Sequence, residues 1–204
     1  MDKINDIEFL IKRYPILMSN KEDIYAACML LIDCFSSGGK LLVCGNGGSA
    51  SDASHICGEL MKSFKKKRKI GVEYKGKLND YIYENLEYAL PCLALGKNNA
   101  LLTAYSNDKC PDLVFAQEVF GYGKKDDVLL AISTSGNSKN VLYACEVARA
   151  LGIKVIGLTQ NSENKLRKYC DCFIGVEEKE TYLIQELHLP IYHAICSYLE
   201  EWYF

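Results

Sequence analysis

Five short segments of the chain are almost continuously apolar, and they constrain the fold more than any other feature. The segments are KLLVC (40–44), LPCLAL (90–95), DVLLAIS (127–133), KVIGLT (154–159) and CDCFIGV (170–176). A strand with one face in water alternates apolar and polar residues, whereas unbroken apolarity is typical of strands covered on both faces. The segments therefore predict the strands of a parallel sheet.

Sequences with helical spacing of apolar residues separate these strands. The predicted helices span 49–63, 111–121, 138–151 and 180–202. Strand alternating with helix predicts an α/β fold in which a doubly wound parallel sheet is flanked by helices. Residues 3–37 precede the first strand and predict a pair of helices with a break near Pro15. Because both helices carry a wide apolar surface, we expect residues 1–38 to contact another subunit in an oligomer.

Length and composition limit the class of protein. A chain of 204 residues with 49% hydrophobic and 25% charged residues predicts one globular domain over 1–204, with the charged, tyrosine-rich segment 64–89 as an insertion. A net charge of −2 favours neither nucleic acid nor an anionic membrane as a partner. The sequence has no apolar run of about 20 residues and no signal-peptide core near its start, so we expect a cytoplasmic protein.

The stretch CGNGGSASDASHICGEL (44–60) opens as a glycine loop between a strand and a helix. Its glycines match the dinucleotide-binding pattern, but that pattern also requires an acidic residue at the end of the next strand to hold the ribose. The next strand ends in GKNN, with no carboxylate, so we expect no nucleotide. Free N–H groups at a helix N-terminus still favour an anion.

A second loop, AISTSGNSKN (131–140), has the same design. Four hydroxyl groups surround Gly136, and they belong to Ser133, Thr134, Ser135 and Ser138. Helix capping accounts for one of these hydroxyls, whereas a phosphate monoester accounts for all four. In such folds ligands bind beyond the carboxyl ends of the strands, where both loops lie.

The three histidines of the chain fall in two motifs. His55 and Glu59 are four residues apart on one helix and share a face, which allows a local hydrogen bond, a base with its partner, or a pair of metal ligands. The last predicted helix holds Gln185 and His193, eight residues apart, with Pro190 between them. His55, Glu59, Gln185 and His193 together offer nitrogen and oxygen donors suited to zinc.

The combination of NGGS, HxxxE, ND, STSGNS and QExHxxxxH, in that order, resembles the phosphoheptose (sedoheptulose 7-phosphate) isomerases of the sugar isomerase, or SIS, fold. The resemblance covers nearly all of the chain except 64–89. It implies a five-stranded parallel sheet and a homotetramer with active sites between subunits. The implied reaction converts sedoheptulose 7-phosphate into D-glycero-D-manno-heptose 7-phosphate, a precursor of surface glycans.

The resemblance also implies roles for individual residues. Glu59 and His193 would be the catalytic pair, and zinc, one per subunit, would be held by His55, Glu59, Gln185 and His193. The phosphate would bind Ser133, Thr134, Ser135 and Ser138. The remaining contacts to the sugar would come from Asn46, Gly47, Gly48, Ser49, Asn107, Asp108 and Gln185. Aldose–ketose isomerisation moves a proton between two carbons through an enediol, which suits a carboxylate and an imidazole.

The chain departs from the family pattern at three places, and these leave other functions open. Ser63 stands where an arginine is common, with Lys62 beside it; the insertion is long; and Tyr182 stands where a polar or acidic residue is common. An isomerase of another phosphosugar is one alternative. A non-catalytic SIS protein that associates with a replication initiator is another, although such proteins lack the glutamate and the last histidine. For the basic run 62–69 we expect a solvated surface, with an anion contact as the alternative.

Overall fold

The computed structural model describes residues 6–204, and the predicted start of the first helix at residue 3 lies outside them. All five predicted strands are present in one sheet. They are β1 (Leu41–Cys44), β2 (Cys92–Ala94), β3 (Val128–Ile132), β4 (Lys154–Gln160) and β5 (Cys172–Val176). Every pairing is parallel and the strand order is β2-β1-β3-β4-β5, which confirms the α/β fold with a five-stranded parallel sheet.

Eight α-helices lie within the described residues. They are α1 (Asp6–Arg13), α2 (Lys21–Ser36), α3 (Gly48–Met61), α4 (Asp80–Asn85), α5 (Asn99–Asp108), α6 (Val114–Tyr122), α7 (Lys139–Ala150) and α8 (Thr181–Tyr203). Short 3-10 helices span Pro15–Asn20, Val72–Tyr74, Pro111–Leu113 and Arg167–Tyr169. Pro190 lies inside α8 without ending it. No helix of residues 6–204 has the length and apolarity that crossing a membrane requires.

The sheet separates two apolar cores, because successive residues of a strand point to opposite faces. Leu41 and Val43 of β1 pack into a core with α1, α2, α3 and α8, while Leu42 and Cys44 face a second core with α6 and α7. Both faces are covered by helices, as the continuous apolarity of the strands predicts.

The sequence pattern missed two helices, α4 and α5. Each begins with an asparagine cap: Asn79 Oδ1 accepts from the Ile82 N–H at 2.9 Å, and Asn98 Oδ1 accepts from the Leu101 N–H at 3.1 Å. No residue of either helix is buried, so neither has the amphipathic periodicity by which helices are recognised. A cap alone is a weaker signal than an apolar face.

The expectation that the basic run 62–69 is solvated is wrong at Arg68, which is 1% exposed. Its guanidinium donates to Glu200 Oε1 at 2.8 Å, and to the carbonyls of Glu59 and Leu60 at the end of α3 at 3.1 and 2.6 Å. Glu200 also accepts the backbone N–H groups of 64–66. Burial raises the pKa of Glu200, but these four donors outweigh it and hold the pKa below its usual value. The insertion is thereby tied to α3 and α8.

We expect Arg68→Met to lower the free energy of unfolding by about 3–5 kcal/mol, since it leaves the charge of Glu200 buried without its ionic partner. Arg149→Met is the matched control, because Arg149 pairs with Asp171 while its side chain is 51% exposed. Loss of that pair costs about 1 kcal/mol or less. Urea unfolding of the three proteins measures the difference. Equal losses in the two variants would contradict the structural role of Arg68.

Candidate active site

The site lies where β1 and β3 run side by side. The strand order reverses between them, since β1 is followed in the chain by β2 on one side and β3 by β4 on the other. In open α/β sheets the loops at such a reversal diverge and leave a crevice beyond the carboxyl ends of the strands. Cys44 at the end of β1 is in register with Ala131 of β3, so the two predicted anion loops emerge next to each other.

The first loop turns tightly from β1 into α3. Gly47 has a φ of +56°, a conformation that side chains rarely adopt. A Cβ on Gly48 would stand 2.5 Å from Nε2 of Gln185, so the loop backbone packs directly against α8. Ser49 is buried at the start of the helix. The N–H groups of Ser49, Ala50 and Ser51 bond the carbonyls of Asn46 and Gly47. The first turn of α3 contains no acidic residue, so its positive dipole end still favours an anion.

The second loop turns from β3 into α7 through Gly136, at a φ of +63°. Ser138 is the N-cap residue of α7, yet its side chain makes no capping hydrogen bond. Its Oγ lies 3.1 Å from Oγ of buried Ser133, and Ser135 Oγ accepts from the Asn137 N–H at 3.2 Å. Because Ser138 does not cap the helix with its hydroxyl, the capping explanation of this serine fails. The first turn of α7 is also free of acidic residues.

A pair of amides joins the two loops. Asn46 Nδ2 donates to Asn140 Oδ1 at 2.9 Å, and Asn140 Nδ2 donates to Asn46 Oδ1 at 2.8 Å. Asn140 was not singled out from the sequence, although it ends the motif STSGNSKN. Its role depends on a neighbouring strand and has no local signal. The paired amides hold both helix N-termini in one crevice.

His55, Glu59 and His193 meet where α3 crosses α8. His55 Nε2 lies 3.2 Å from Glu59 Oε1, and the rings of His55 and His193 are 4.9 Å apart between centroids at an interplanar angle of 86°. Lys62 Nζ donates to Glu59 Oε2 at 3.1 Å. The Lys62 side chain is 61% exposed, so this ion pair is weak. The structure thus brings both predicted catalytic residues together.

His193 is held as a neutral base. Its Nε2 is buried and has no hydrogen-bond partner within the described residues. Burial is the larger cause that lowers the pKa of His193; the nearby His55 ring lowers it further, and Glu59 opposes the shift. A pKa below the usual 6.5 leaves the imidazole uncharged at neutral pH, able to accept a proton.

The four predicted zinc ligands fit that metal by donor type. Two ligands that each lie about 2.0–2.1 Å from a tetrahedral zinc are about 3.3 Å apart, close to the separation of His55 Nε2 and Glu59 Oε1. The buried, unpartnered Nε2 of His193 is a third donor. In residues 6–204, however, no three histidine, cysteine, aspartate or glutamate side chains stand in a ligating arrangement. The donor chemistry fits, while the side chains are not closed around an ion.

Two predicted sugar contacts stand apart from this cluster. Asn107 and Asp108 end α5, are exposed, and bond each other through Asn107 Nδ2 and Asp108 Oδ1 at 2.9 Å. Within 6–204 the structure records no hydrogen bond or ion pair from them to another predicted site residue. Their assignment to the sugar stays a prediction.

The structure adds Lys97, Asp52 and Tyr192 to the site. Lys97 follows β2, and its Nζ donates to the Ala50 carbonyl at 3.0 Å, which places a positive charge beside the first loop. Lys97 stands in GKNN directly after a predicted strand, but the dinucleotide-binding pattern tests that position only for a carboxylate. Tyr192 Oη lies 3.0 Å from His55 Nδ1 and donates to Asp52 Oδ1 at 3.2 Å. Tyr192 adjoins His193 in sequence, but its partners lie on α3, so no local pattern marks it.

Comparisons with known proteins agree with this geometry. The SIS domain family matches residues 10–74 and 84–160. A phosphoheptose isomerase of Nitratiruptor sp. is 40% identical over 178 residues, covering 87% of this chain and 85% of its own. One from Helicobacter pylori is 36% identical over 203 residues, covering 98% and 96%. A solved phosphoheptose isomerase from Francisella tularensis superposes with a TM-score of 0.78 at 33% identity, covering 98% and 97%.

These matches cover most of this chain and most of each relative. Their sequence identities are well above the level at which two proteins share only a fold. The resemblance read from the motifs is therefore confirmed: the chain belongs to the phosphoheptose isomerase family of SIS-domain proteins.

Proposed function

We propose that this protein is a phosphoheptose isomerase that interconverts sedoheptulose 7-phosphate and D-glycero-D-manno-heptose 7-phosphate. The observation that carries the proposal is that Glu59 and His193 both lie against His55, while Nε2 of His193 is buried without a hydrogen-bond partner in residues 6–204 and burial lowers its pKa. This pair lies on α3 and α8, and α3 begins at the crevice where two helix N-termini meet. The family to which the chain belongs supports the seven-carbon phosphosugar as substrate.

The phosphate group is bound by the second loop in this proposal. The hydroxyls of Ser133, Thr134, Ser135 and Ser138 and the N–H groups of α7 surround the phosphate oxygens. The helix N-terminus adds a positive potential. Asn46 and Ser49, with the backbone of Gly47 and Gly48, orient the sugar, and Gln185 contacts it from α8. This arrangement fixes the C1–C2 end near Glu59.

Proton transfer then follows from the two side chains. The Glu59 carboxylate removes the proton from the carbon next to the carbonyl and returns it to the neighbouring carbon. His193 moves a proton between the two oxygens of the enediol, since its lowered pKa keeps it neutral before the reaction. Substrate replaces Lys62 at Glu59 Oε2, because that surface ion pair is weak.

We also propose that His55, Glu59, Gln185 and His193 hold one zinc ion per subunit. When bound, zinc would polarise the carbonyl oxygen and stabilise negative charge on the enediolate. We further propose a homotetramer. Exposed apolar side chains on the N-terminal segment support an assembly, since Phe9, Met18 and Met29 are 55%, 59% and 44% exposed.

We expect Glu59→Gln to lower kcat for sedoheptulose 7-phosphate by about 10²–10⁴-fold with a small change in KM, because the amide cannot take the proton. Glu146→Gln, on the outer part of α7, is the control and should retain full activity. A coupled assay of aldose formation gives both constants. Turnover by Glu59→Gln at the wild-type rate would exclude Glu59 as the base.

The same assay run over a panel of phosphosugars separates the alternatives. The departures from the family pattern at Ser63, Tyr182 and the insertion leave another phosphosugar as an alternative substrate. A preference for a six-carbon or amino-sugar phosphate would contradict the proposed heptose substrate. A wild-type protein that isomerises no phosphosugar and binds a replication initiator tightly would instead show a non-catalytic SIS protein.

We expect Ser138→Ala to raise the KM for the phosphosugar about 10–100-fold, since a hydrogen bond to a charged group contributes about 1.5–3 kcal/mol. Inhibition by inorganic phosphate should weaken in parallel. Ser36→Ala is the control, because the Ser36 hydroxyl hydrogen-bonds Tyr203 and neither residue belongs to the loop. An unchanged KM with a lower Tm would show that the Ser138 hydroxyl only stabilises the loop through Ser133.

Native mass spectrometry of the purified protein tests the assembly and the metal together. We expect four chains carrying four zinc ions, and loss of zinc from His193→Ala without loss of the tetramer. A monomer would contradict the proposed assembly. A metal-free tetramer that retains full activity would contradict the proposed role of zinc.

A further inference from the structure

A chain of hydrogen bonds runs from Asp52 through Tyr192 to His55. Tyr192 donates to Asp52 Oδ1 at 3.2 Å, and its Oη lies 3.0 Å from His55 Nδ1. Tyr192 is 1% exposed, whereas the His55 side chain is 43% exposed, so the chain runs from the interior to the surface of the site. Asp52 and His55 are three residues apart on α3, while Tyr192 reaches them from α8. None of these contacts is needed to form either helix.

The direction of each bond follows from the number of protons available. A phenol has one proton and an ionised carboxylate has none, so Tyr192 gives its proton to Asp52. The oxygen of Tyr192 can then only accept from His55, which requires the imidazole proton on Nδ1.

The consequence appears on the other side of the imidazole ring. With the proton on Nδ1, the lone pair of Nε2 faces Glu59 Oε1 across 3.2 Å. Two acceptors at this separation repel each other unless a cation lies between them. The separation suits two ligands of one tetrahedral metal ion, which stand about 3.3 Å apart.

We propose that Tyr192, anchored on Asp52, is a positioning residue that holds His55 in the tautomer with Nδ1 protonated, so that Nε2 and Glu59 Oε1 are preorganised as joint donors to a divalent cation. The inference deepens the proposed function, on which its catalytic meaning rests. Groups that hold the second nitrogen of a histidine ligand commonly contribute about 10–100-fold to metal affinity.

A purely structural role for Tyr192 is the competing explanation. Its ring packs edge-on against His55 and His193, with centroids 5.5 and 5.0 Å apart. Phenylalanine would preserve these contacts and remove only the hydroxyl. Tyr192→Phe therefore separates packing from the hydrogen-bond chain.

Asp52→Asn provides a second variant that keeps the shape of the side chain. An asparagine amide can donate to Tyr192 Oη, so that Tyr192 turns its own proton toward His55 Nδ1 and the imidazole proton moves to Nε2. There it bonds Glu59 Oε1, and a metal must displace it. Tyr203→Phe is the matched control on the same helix, since Tyr203 Oη also has two partners, Ser36 Oγ at 2.9 Å and the Ile32 carbonyl at 2.7 Å.

The experiment measures two properties of the full chain. Long-range ¹H–¹⁵N spectra of the metal-free protein, assigned with His55→Gln, report which nitrogen of His55 carries the proton. Competition with a chromophoric chelator gives the Kd for zinc. We expect Nδ1–H in the wild type and Tyr203→Phe, a mixture of tautomers in Tyr192→Phe, and Nε2–H in Asp52→Asn. Zinc affinity should fall about 10–100-fold in Tyr192→Phe and Asp52→Asn alone.

Wild-type His55 with its proton on Nε2, or the same tautomer in all four proteins, would overturn the proposal. So would an unchanged Kd for zinc in Tyr192→Phe, or an equal loss in Tyr203→Phe, which would indicate a general effect on stability. The tautomer is read without substrate or metal. A wild-type protein that isomerises no phosphosugar would therefore contradict the proposed function and leave this measurement standing.

Discussion

Two helix N-termini meet beside the reversal of strand order between β1 and β3, and the rest of the site depends on the positive potential that both bring there. Each helix points the positive end of its dipole into the same crevice. Neither first turn contains a carboxylate, and the Asn46–Asn140 pair keeps the two loops together. An anion is the ligand that such a crevice favours, and the serine hydroxyls around Gly136 make a phosphate the best match.

Helix α8 supplies half of the residues of the proposed active site. It presents Gln185 against the first loop and His193 against His55. Farther along, its Glu200 receives Arg68 and the backbone of the insertion. Arg68 also binds the carbonyls of Glu59 and Leu60, so the end of α3 that carries the proposed catalytic carboxylate is held by the same contacts that hold the insertion. The position of Glu59 and the stability of the insertion therefore depend on one set of buried charges.

The sheet was predictable because parallel strands that are buried on both faces consist of continuous runs of apolar residues. The two loops were predictable because glycine and serine between an apolar strand and a helical pattern indicate a tight turn, while their binding of an anion stays a prediction. The two unpredicted helices, α4 and α5, bury none of their residues and so leave no periodic pattern. The burial of Arg68 was missed for a related reason: a basic run has the composition of a surface, and only a carboxylate 132 residues away makes one member of it a core residue.

The sequence by itself determined the α/β class, the two loops at strand ends and the pairing of His55 with Glu59 on one helix face. Each of these depends on residues that are neighbours in the chain, where spacing alone sets the geometry. Only the tertiary structure decided that Tyr192 and Asp52 bracket His55, that Asn140 locks Asn46, and that Arg68 meets Glu200. These contacts join residues on different elements, and their partners are selected by packing and by the need of buried polar groups for hydrogen bonds, which no local pattern records.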